Sequence, residues 1–323
     1  YTTGVANPYL LLEPSRTNAI DQSEYIGSAS WAAAGITRSL IITQTSEVNP
    51  EGSAICWKIQ GTASDNQLAN NNSTNSGTTI TNSIYVKRVS GTSNVLLRNV
   101  NNNDTSFSLS VADGWKRIDV TATATSATAR FYLNLLDFND EILVWGAQQE
   151  IGSYATSYIP TYSVSATRAQ DVCNKTNASG EINSTEGVLY FEGNFSDIGS
   201  LYSAFTIGNS NNTSLVRFYR ANSTTLNASV YEAGVWIWGY SLTTDTTQNF
   251  KVALQWSANV FNAFVNGVKL TGATDQNSFT LSQLSKVNMG NESMAFPFYG
   301  KAKKVIVFNE ALSDSELATL TTL

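Results

Sequence analysis

Ile142 to Val172, ILVWGAQQEIGSYATSYIPTYSVSATRAQDV, is the stretch at which the chain divides. Its first four residues, Ile142 to Trp145, are apolar enough for a buried strand that closes a sheet. Gly146 is expected to end that run. Ile159-Pro160-Thr161 then demands an extended exit, because a proline biases the residue before it away from helix. Upstream lies a series of short β-like segments parted by Asn, Gly, Ser and Thr. Downstream, past a polar connector, a second series begins.

Working outward from that seam, 323 residues suffice for two domains at about 150 residues each, both able to bury a core. Charged residues are only 14% of the chain, against about 25% in ordinary globular proteins. Asn, Thr and Ser replace them, and aromatic residues make up 11%. β-branched, aromatic and small polar residues suit sheets, whereas a helical bundle needs Glu, Lys, Ala and Leu at a 3.6-residue period. The net charge of −6 and pI of about 4.8 argue against a nucleic-acid partner, which requires a basic footprint. No apolar run approaches the length of about 18 residues that membrane insertion by a helix requires, and no leader pattern is read at the start. The opening on Tyr1 instead of Met suits a processed product or part of a longer polypeptide. Cys56 and Cys173 fall on opposite sides of the seam, which predicts two free, buried thiols and leaves the redox compartment undecided.

Before the seam, strands are expected at Tyr9 to Leu12, Thr37 to Thr43, Ala54 to Ile59, Ile80 to Arg88, Val95 to Val100, Phe107 to Val111, Trp115 to Val120 and Ala129 to Leu135. Asn66 to Thr79 reads as a surface loop. Strands at this spacing with turn signals between them indicate an antiparallel sandwich. Cys173 to Thr185 is too polar to pack and reads as the connector. After it the β pattern returns, at Gly187 to Gly193, Ser203 to Gly208, Leu215 to Arg220, Thr225 to Glu232, Val235 to Leu242, Asn249 to Trp256, Val260 to Val265 and Lys303 to Phe308. Asn266-Gly267 is the strongest hairpin signal. Only Ser313 to Leu320 looks helical, with Ser313 and Glu316 spaced as a capping box. The predicted class is all-β: two tandem antiparallel β-sandwich (jelly-roll) domains over 1–172 and 185–323, a linker at 173–184, and a short C-terminal helix.

Leu11-Leu12-Glu13-Pro14-Ser15-Arg16-Thr17-Asn18, Ser83-Ile84-Tyr85-Val86-Lys87, Gly114-Trp115-Lys116-Arg117, Trp145-Gly146-Ala147-Gln148 and Ala155-Thr156-Ser157-Tyr158-Ile159-Pro160-Thr161 follow one another in the first half. With Thr167-Arg168-Ala169 and Asp171-Val172, they make that half resemble a module of bacteriophage virion and tail-fibre proteins related to jelly-roll carbohydrate-binding modules. The second half resembles a laminin-G-like, concanavalin A-like sandwich. It does so through Glu186 to Glu192, Lys251 to Leu254, Phe264 to Val268, Phe298-Tyr299-Gly300 and Phe308 to Leu317, although Phe250 or its neighbour stands where that family often has tryptophan. The resemblance implies a receptor-binding or appendage protein on the phage particle or its tail, partnered by a host-surface polysaccharide or glycan, or by other virion proteins. It also implies that a homotrimer is to be considered, though no heptad or collagen-like stretch shows how trimers would form. No required cofactor is expected. Structural calcium, which related sandwiches often carry, is considered at Glu13 and Glu150, where a salt bridge to Arg16 or Arg168 is the competing expectation.

The chemistry narrows by elimination. The chain has no histidine, so Ser-His-Asp, Cys-His and histidine-ligated zinc sites are excluded. No phosphate-loop or dinucleotide fingerprint is present. Paired carboxylates remain, since glycoside hydrolysis needs two acids about 5–10 Å apart across one bond. The densest acidic group, Asp137, Asp140 and Glu141, reads as a solvated turn, with catalysis or calcium as alternatives. A non-catalytic role is therefore expected. Strand alternation in Val235-Trp236-Ile237-Trp238-Gly239-Tyr240 places Trp236, Trp238 and Tyr240 on one face, with Val235 and Ile237 opposite. Such a ladder serves as a platform for pyranose rings or as a protein contact, unless that face is core. Tyr231 and Glu232 lie close by in sequence. Trp31 and Trp57 are further glycan candidates, while Trp115 and Trp145 are expected in the core.

Overall fold

The structure, a computed structural model, describes residues 9–31, 40–61, 66–101, 103–135, 137, 140–196, 202–233, 235–274, 277–281, 283–291 and 296–323. In chain order the strands are β1 (Leu10–Leu12), β2 (Arg16–Asn18), β3 (Leu40–Thr45), β4 (Cys56–Gly61), β5 (Asn66–Ser73), β6 (Thr79–Ser90), β7 (Val95–Arg98), β8 (Asp104–Phe107), β9 (Lys116–Thr123), β10 (Thr128–Leu135), β11 (Glu141–Ile151) and β12 (Ala166–Arg168). They continue as β13 (Asn174–Lys175), β14 (Gly187–Phe195), β15 (Ser203–Asn209), β16 (Ser214–Asn222), β17 (Thr225–Glu232), β18 (Val235–Thr243), β19 (Phe250–Ser257), β20 (Val260–Val265), β21 (Val268–Lys269), β22 (Leu284–Asn288) and β23 (Gly300–Phe308), and α1 (Asp314–Thr321) closes the order. The all-β class and the short terminal helix stand as the sequence predicts.

The chain forms two compact units: Ser15–Ala169, and Tyr1–Pro14 together with Gln170–Leu323. The first is thus inserted into the second, and this division differs from a boundary at 172. Strand β1 pairs antiparallel with β23, Leu12 opposite Gly300, so the N-terminal strand completes a sheet of the flanking unit. Residues 173–184 are not a free linker either. β13 pairs with β22, and Ala178 and Ile182 are buried in the flanking unit's core. Two apolar side chains among polar neighbours were enough to anchor a segment whose composition reads as a spacer.

In the inserted unit a five-stranded sheet, β3-β4-β11-β6-β9, and a four-stranded sheet, β5-β10-β7-β8, supply the core. Ile84, Val86, Ile118, Ile142 and Val144 of the former are clustered with Leu68, Leu97, Phe131 and Leu133 of the latter. Gly146 does not end β11. Pairing with β6 is interrupted between Trp145 and Gln148 and then resumes to Ile151, with Gly146 at φ 65°. This is a bulge, which re-aims the residues after it. Asn66 to Ser73 is a strand, not a loop: all eight residues of β5 pair with β10. The expected strand Phe107 to Val111 is displaced, ending at Phe107 in β8 and passing into a 3-10 turn at Val111–Asp113. Of Thr37 to Thr43, residues 37–39 lie outside the described residues and the rest is in β3.

The flanking unit pairs two six-stranded sheets, β1-β23-β14-β19-β20-β21 and β13-β22-β15-β16-β17-β18. Between them lie Phe191, Phe195, Phe205, Phe218, Phe250 and Trp256, all essentially inaccessible. Part of the first sheet's other face is apolar too, where α1 packs Leu317 against Val188, Tyr190, Ala253 and Phe264. Ser313 caps the helix through the expected reciprocal box with Glu316. Asn266 and Gly267 form the predicted hairpin turn, with φ of 50° and 84°, the left-handed pair that a type I′ turn requires.

Candidate functional site

The second sheet of the flanking unit carries the densest outward-facing chemistry. In β16, Val216 and Phe218 enter the core while Arg217 and Tyr219 alternate to the other face, half-buried. Arg217 lies opposite Ser229, and Tyr231 opposite Leu215, which puts Tyr231 on that outward face too. The register of β17 and β18 then shifts: Tyr231 pairs with Trp236, but Val230 pairs with Trp238. Ile237 is the extra residue of a bulge, left without a partner on β17.

That bulge splits the predicted aromatic ladder. Trp236 stays on the outward face beside Tyr231. Trp238 is thrown to the core side, where it meets Phe279 edge-on at 6.3 Å. Tyr240 is buried in the core, its hydroxyl donating to the Phe261 carbonyl at 3.1 Å. Val235, assigned to the core by alternation, is exposed. Trp236 lies across Gly239, where an added Cβ would meet the ring at 2.4 Å.

Around Trp236 the structure assembles residues that alternation in one strand cannot reveal. The Arg217 guanidinium stands over the rings of Tyr219, Tyr231 and Trp236, at 5.2, 5.8 and 5.8 Å from their centroids, and its Nε donates to Ser229 Oγ at 3.2 Å. Each such stack contributes about 0.5–1 kcal/mol at a partly exposed site, so the cation orders the cluster. Tyr219 meets Trp236 edge-on and Tyr202 tilted, and Tyr202 also meets Phe296. Tyr202 and Phe296 are close to half exposed. Burial raises the Tyr219 hydroxyl pKa, opposed by Arg217 and assisted by Tyr202, so at neutral pH it is a hydroxyl donor and acceptor. Tyr202, Ala204, Arg217, Tyr219, Asn291 and Phe296 enclose a hollow of about 210 Å³. The alternation in Val216-Arg217-Phe218-Tyr219 is the sequence signal that could have found this group.

The other aromatic candidates serve the inserted unit's packing. Trp31 is buried, donates from Nε1 to the Gln22 carbonyl at 2.8 Å and meets Phe131 edge-on. Trp57 donates to the Glu24 carbonyl at 2.7 Å and packs against Tyr25, with Gly27 leaving room for its ring. Neither offers a ring face to a sugar. Trp145 is core as expected; Trp115 is half-buried beside it.

Several carboxylates are likewise engaged within the protein. Glu13 and Glu150 belong to different units. Glu150 is buried and accepts from Thr156 N at 2.8 Å, Thr156 Oγ1 at 2.7 Å and Gln148 Nε2 at 2.8 Å, with Arg16 Nε 3.8 Å away. Glu13 is buried, and its amide donates to Asp171 Oδ2 at 2.8 Å. Asp140 does not sit in a solvated turn: it is buried against Arg88, 3.4 Å away, and hydrogen-bonded by Ser93. Burial pushes its carboxyl pKa up, against the pull of Arg88. Glu141 pairs with Lys58 at 3.2 Å. Among the described residues no group of three or more acidic or Cys side chains is placed to hold a metal ion. Cys56 and Cys173 are both free; Cys56 is buried, and Cys173 only half so.

No protein-family model matches the chain, and no curated protein matches it. Solved structures do. The carbohydrate-binding module of the Ruminococcus gnavus IT-sialidase, solved with α2,3-sialyllactose, is 19% identical; the match covers 46% of this chain and 91% of that one, with a TM-score of 0.37. A heptameric SAP-like pentraxin from Limulus polyphemus is 17% identical over 42% of this chain and 69% of its own, TM-score 0.34. Domains LG4-5 of the mouse laminin α1 chain are 7% identical over 98% and 95% of the two chains, TM-score 0.31.

Proposed function

We propose that this protein binds glycans without transforming them, through the outward cluster around Arg217 and Trp236. The observation that carries this reading is the arrangement itself. Five aromatic side chains gather about one guanidinium, and three of them, Tyr202, Tyr219 and Phe296, line a shallow hollow together with Arg217. Pyranose rings bind by stacking their C–H faces on such rings while hydroxyls bond to flanking Arg, Asn and Tyr groups. Tyr and Trp supply that contact at low entropic cost.

The first-half motifs support a wider setting, a receptor-binding or structural appendage of a phage particle whose target is the host-surface polysaccharide. In that setting the cluster has a competing use. Trp, Tyr and Arg are the residues that dominate protein–protein hot spots, so it equally fits a contact with a neighbouring virion subunit, including a copy in a homotrimer. A glycan array with the whole chain decides between them. Binding to defined glycans that Trp236→Ala and Tyr219→Ala each weaken at least tenfold supports the proposal. Absence of binding on any array, with Trp236→Ala disrupting self-association or assembly instead, removes it.

A further inference from the structure

A cleft in the inserted unit lies apart from every aromatic candidate. It measures about 460 Å³, and it opens between β2, the turn after β5 and the far end of β11. Ligand pockets commonly run from about 300 to 1,000 Å³, so this cleft is of ligand size. Its lining has no aromatic ring. Ser15, Thr17, Thr74 and Thr78 contribute hydroxyls, and Asn75 and Gln149 amides. Ala19, Ile80, Ala129 and Ile151 add short aliphatic patches.

Charge is balanced within it. Arg16 and Glu150 are the two ionic lining residues, and they face each other at 3.8 Å. The wall is also held rigid. The Gln149 amide donates to Asn82 Oδ1 at 2.9 Å and accepts from Asn72 Nδ2 at 3.0 Å, while its backbone N–H donates to Asn18 Oδ1 at 3.1 Å. Gly152 allows the Arg16 guanidinium to lie against the backbone, since a Cβ there would stand 2.7 Å from Nε and Nη2. Fixed polar groups make a site selective, because they need no reordering when the ligand arrives.

We infer that this cleft is a second ligand site, for a neutral, hydroxyl-rich molecule: an uncharged oligosaccharide of two or three sugar units. Hydroxyl and amide groups are both donors and acceptors, which suits a ligand whose every hydroxyl is both. The internal Arg16–Glu150 pairing leaves no net charge to select an acidic or basic ligand. The aliphatic patches receive C–H faces in place of aromatic stacking. This inference does not depend on the Arg217 cluster, and either can fail alone.

Titration of the ¹⁵N-labelled whole chain with maltotriose, cellotriose and a neutral galactose-containing trisaccharide tests it. Saturable shifts of the Thr17, Thr74, Asn75 and Thr78 amide signals are expected with at least one of them. Thr74→Trp, which fills the cleft, abolishes those shifts. Should that variant not fold, Thr17→Ala with Asn75→Ala, both at exposed positions, weakens binding at least tenfold, and Trp236→Ala leaves it unchanged. No saturable shift with any trisaccharide overturns the inference. So do shifts confined to residues around Arg217, or an equal response to trialanine.

Discussion

Replacing Trp236 and Trp238 one at a time tests the bulge at Ile237, because the two rings then report on opposite faces. Trp238 is half-buried against the flanking unit's core and paired edge-on with Phe279. Truncating a fully buried Trp to Ala costs about 3–5 kcal/mol, and the aromatic pair contributes on the order of 0.5–1.5 kcal/mol of that kind. At partial burial, Trp238→Ala is therefore expected to lose about 2–4 kcal/mol, which lowers Tm by about 4–16 °C for a unit of this size. Among the described residues its buried Nε1 has no hydrogen-bond partner, and an unsatisfied buried donor costs about 1–3 kcal/mol. Trp238→Phe removes that donor and keeps most of the ring, so its stability should stay within about 1 kcal/mol of wild type. Trp236→Ala should cost about 1 kcal/mol or less in stability while weakening glycan binding at least tenfold. Urea and thermal melts of all three variants, beside the array, give the answer. If Trp238→Ala melts like wild type and Trp236→Ala unfolds, the assignment of faces is wrong and the candidate site with it.

Four further outcomes follow from groups already described. Burial pushes the Cys56 thiol up to about 11, helped by Glu47, leaving about one thiolate in a thousand at pH 8; a disulfide exchange reagent at that pH should label half-buried Cys173 well before Cys56, and equal rates would contradict the burial. Glu150→Gln puts an amide donor among groups that already donate to the carboxylate, so it should lose about 2–3 kcal/mol in urea unfolding. EDTA alone should leave the wild-type midpoint unchanged, and a fall restored by calcium would assign a structural ion to the protein. Hydrogen bonds from the Ser313 side chain and backbone hold the Glu316 carboxyl below its ordinary pKa of 4.5. A lowered folded value means that the cap contributes fully above that pH and is lost as pH falls through the folded pKa. The Ser313 amide shift, followed by NMR from pH 6 to 2, should show a midpoint below 4.5 that Glu316→Gln abolishes.

Strand identity was largely legible because alternation is local: Val216, Phe218, Ile84 and Val86 declare their faces within a few residues. Bulges are not local. Whether Gly146 or Ile237 stops, kinks or passes a ladder is set by the partner strand, and one added residue reverses every side chain beyond it. That is why strand alternation places Trp236 on the outward face correctly but puts Trp238 and Tyr240 on the wrong one. β5 was hidden by its composition, since Asn70 and Asn72 read as loop residues until their amides are seen bonding to the Ser30 carbonyl and Gln149. Arg217, Tyr219, Tyr202 and Phe296 come from separate segments, so only the sheet brings them together.

The insertion of one unit within another bears on how the chain is made. Its two crossing points are tied as a neck: β2 pairs with β12, Arg16 opposite Arg168, and the Asp171 amide donates to the Glu13 carbonyl at 2.9 Å. During synthesis the interior segment can fold while its host still lacks most of its strands, and Leu10–Leu12 must wait for β23, the last of the described strands to emerge. Ribosome-bound nascent chains should therefore acquire protease resistance in two steps, the interior segment first. The same neck brings the two ends of residues 15–169 together, so a variant joining Pro14 directly to Gln170 is expected to keep the flanking unit folded, with one cooperative melt.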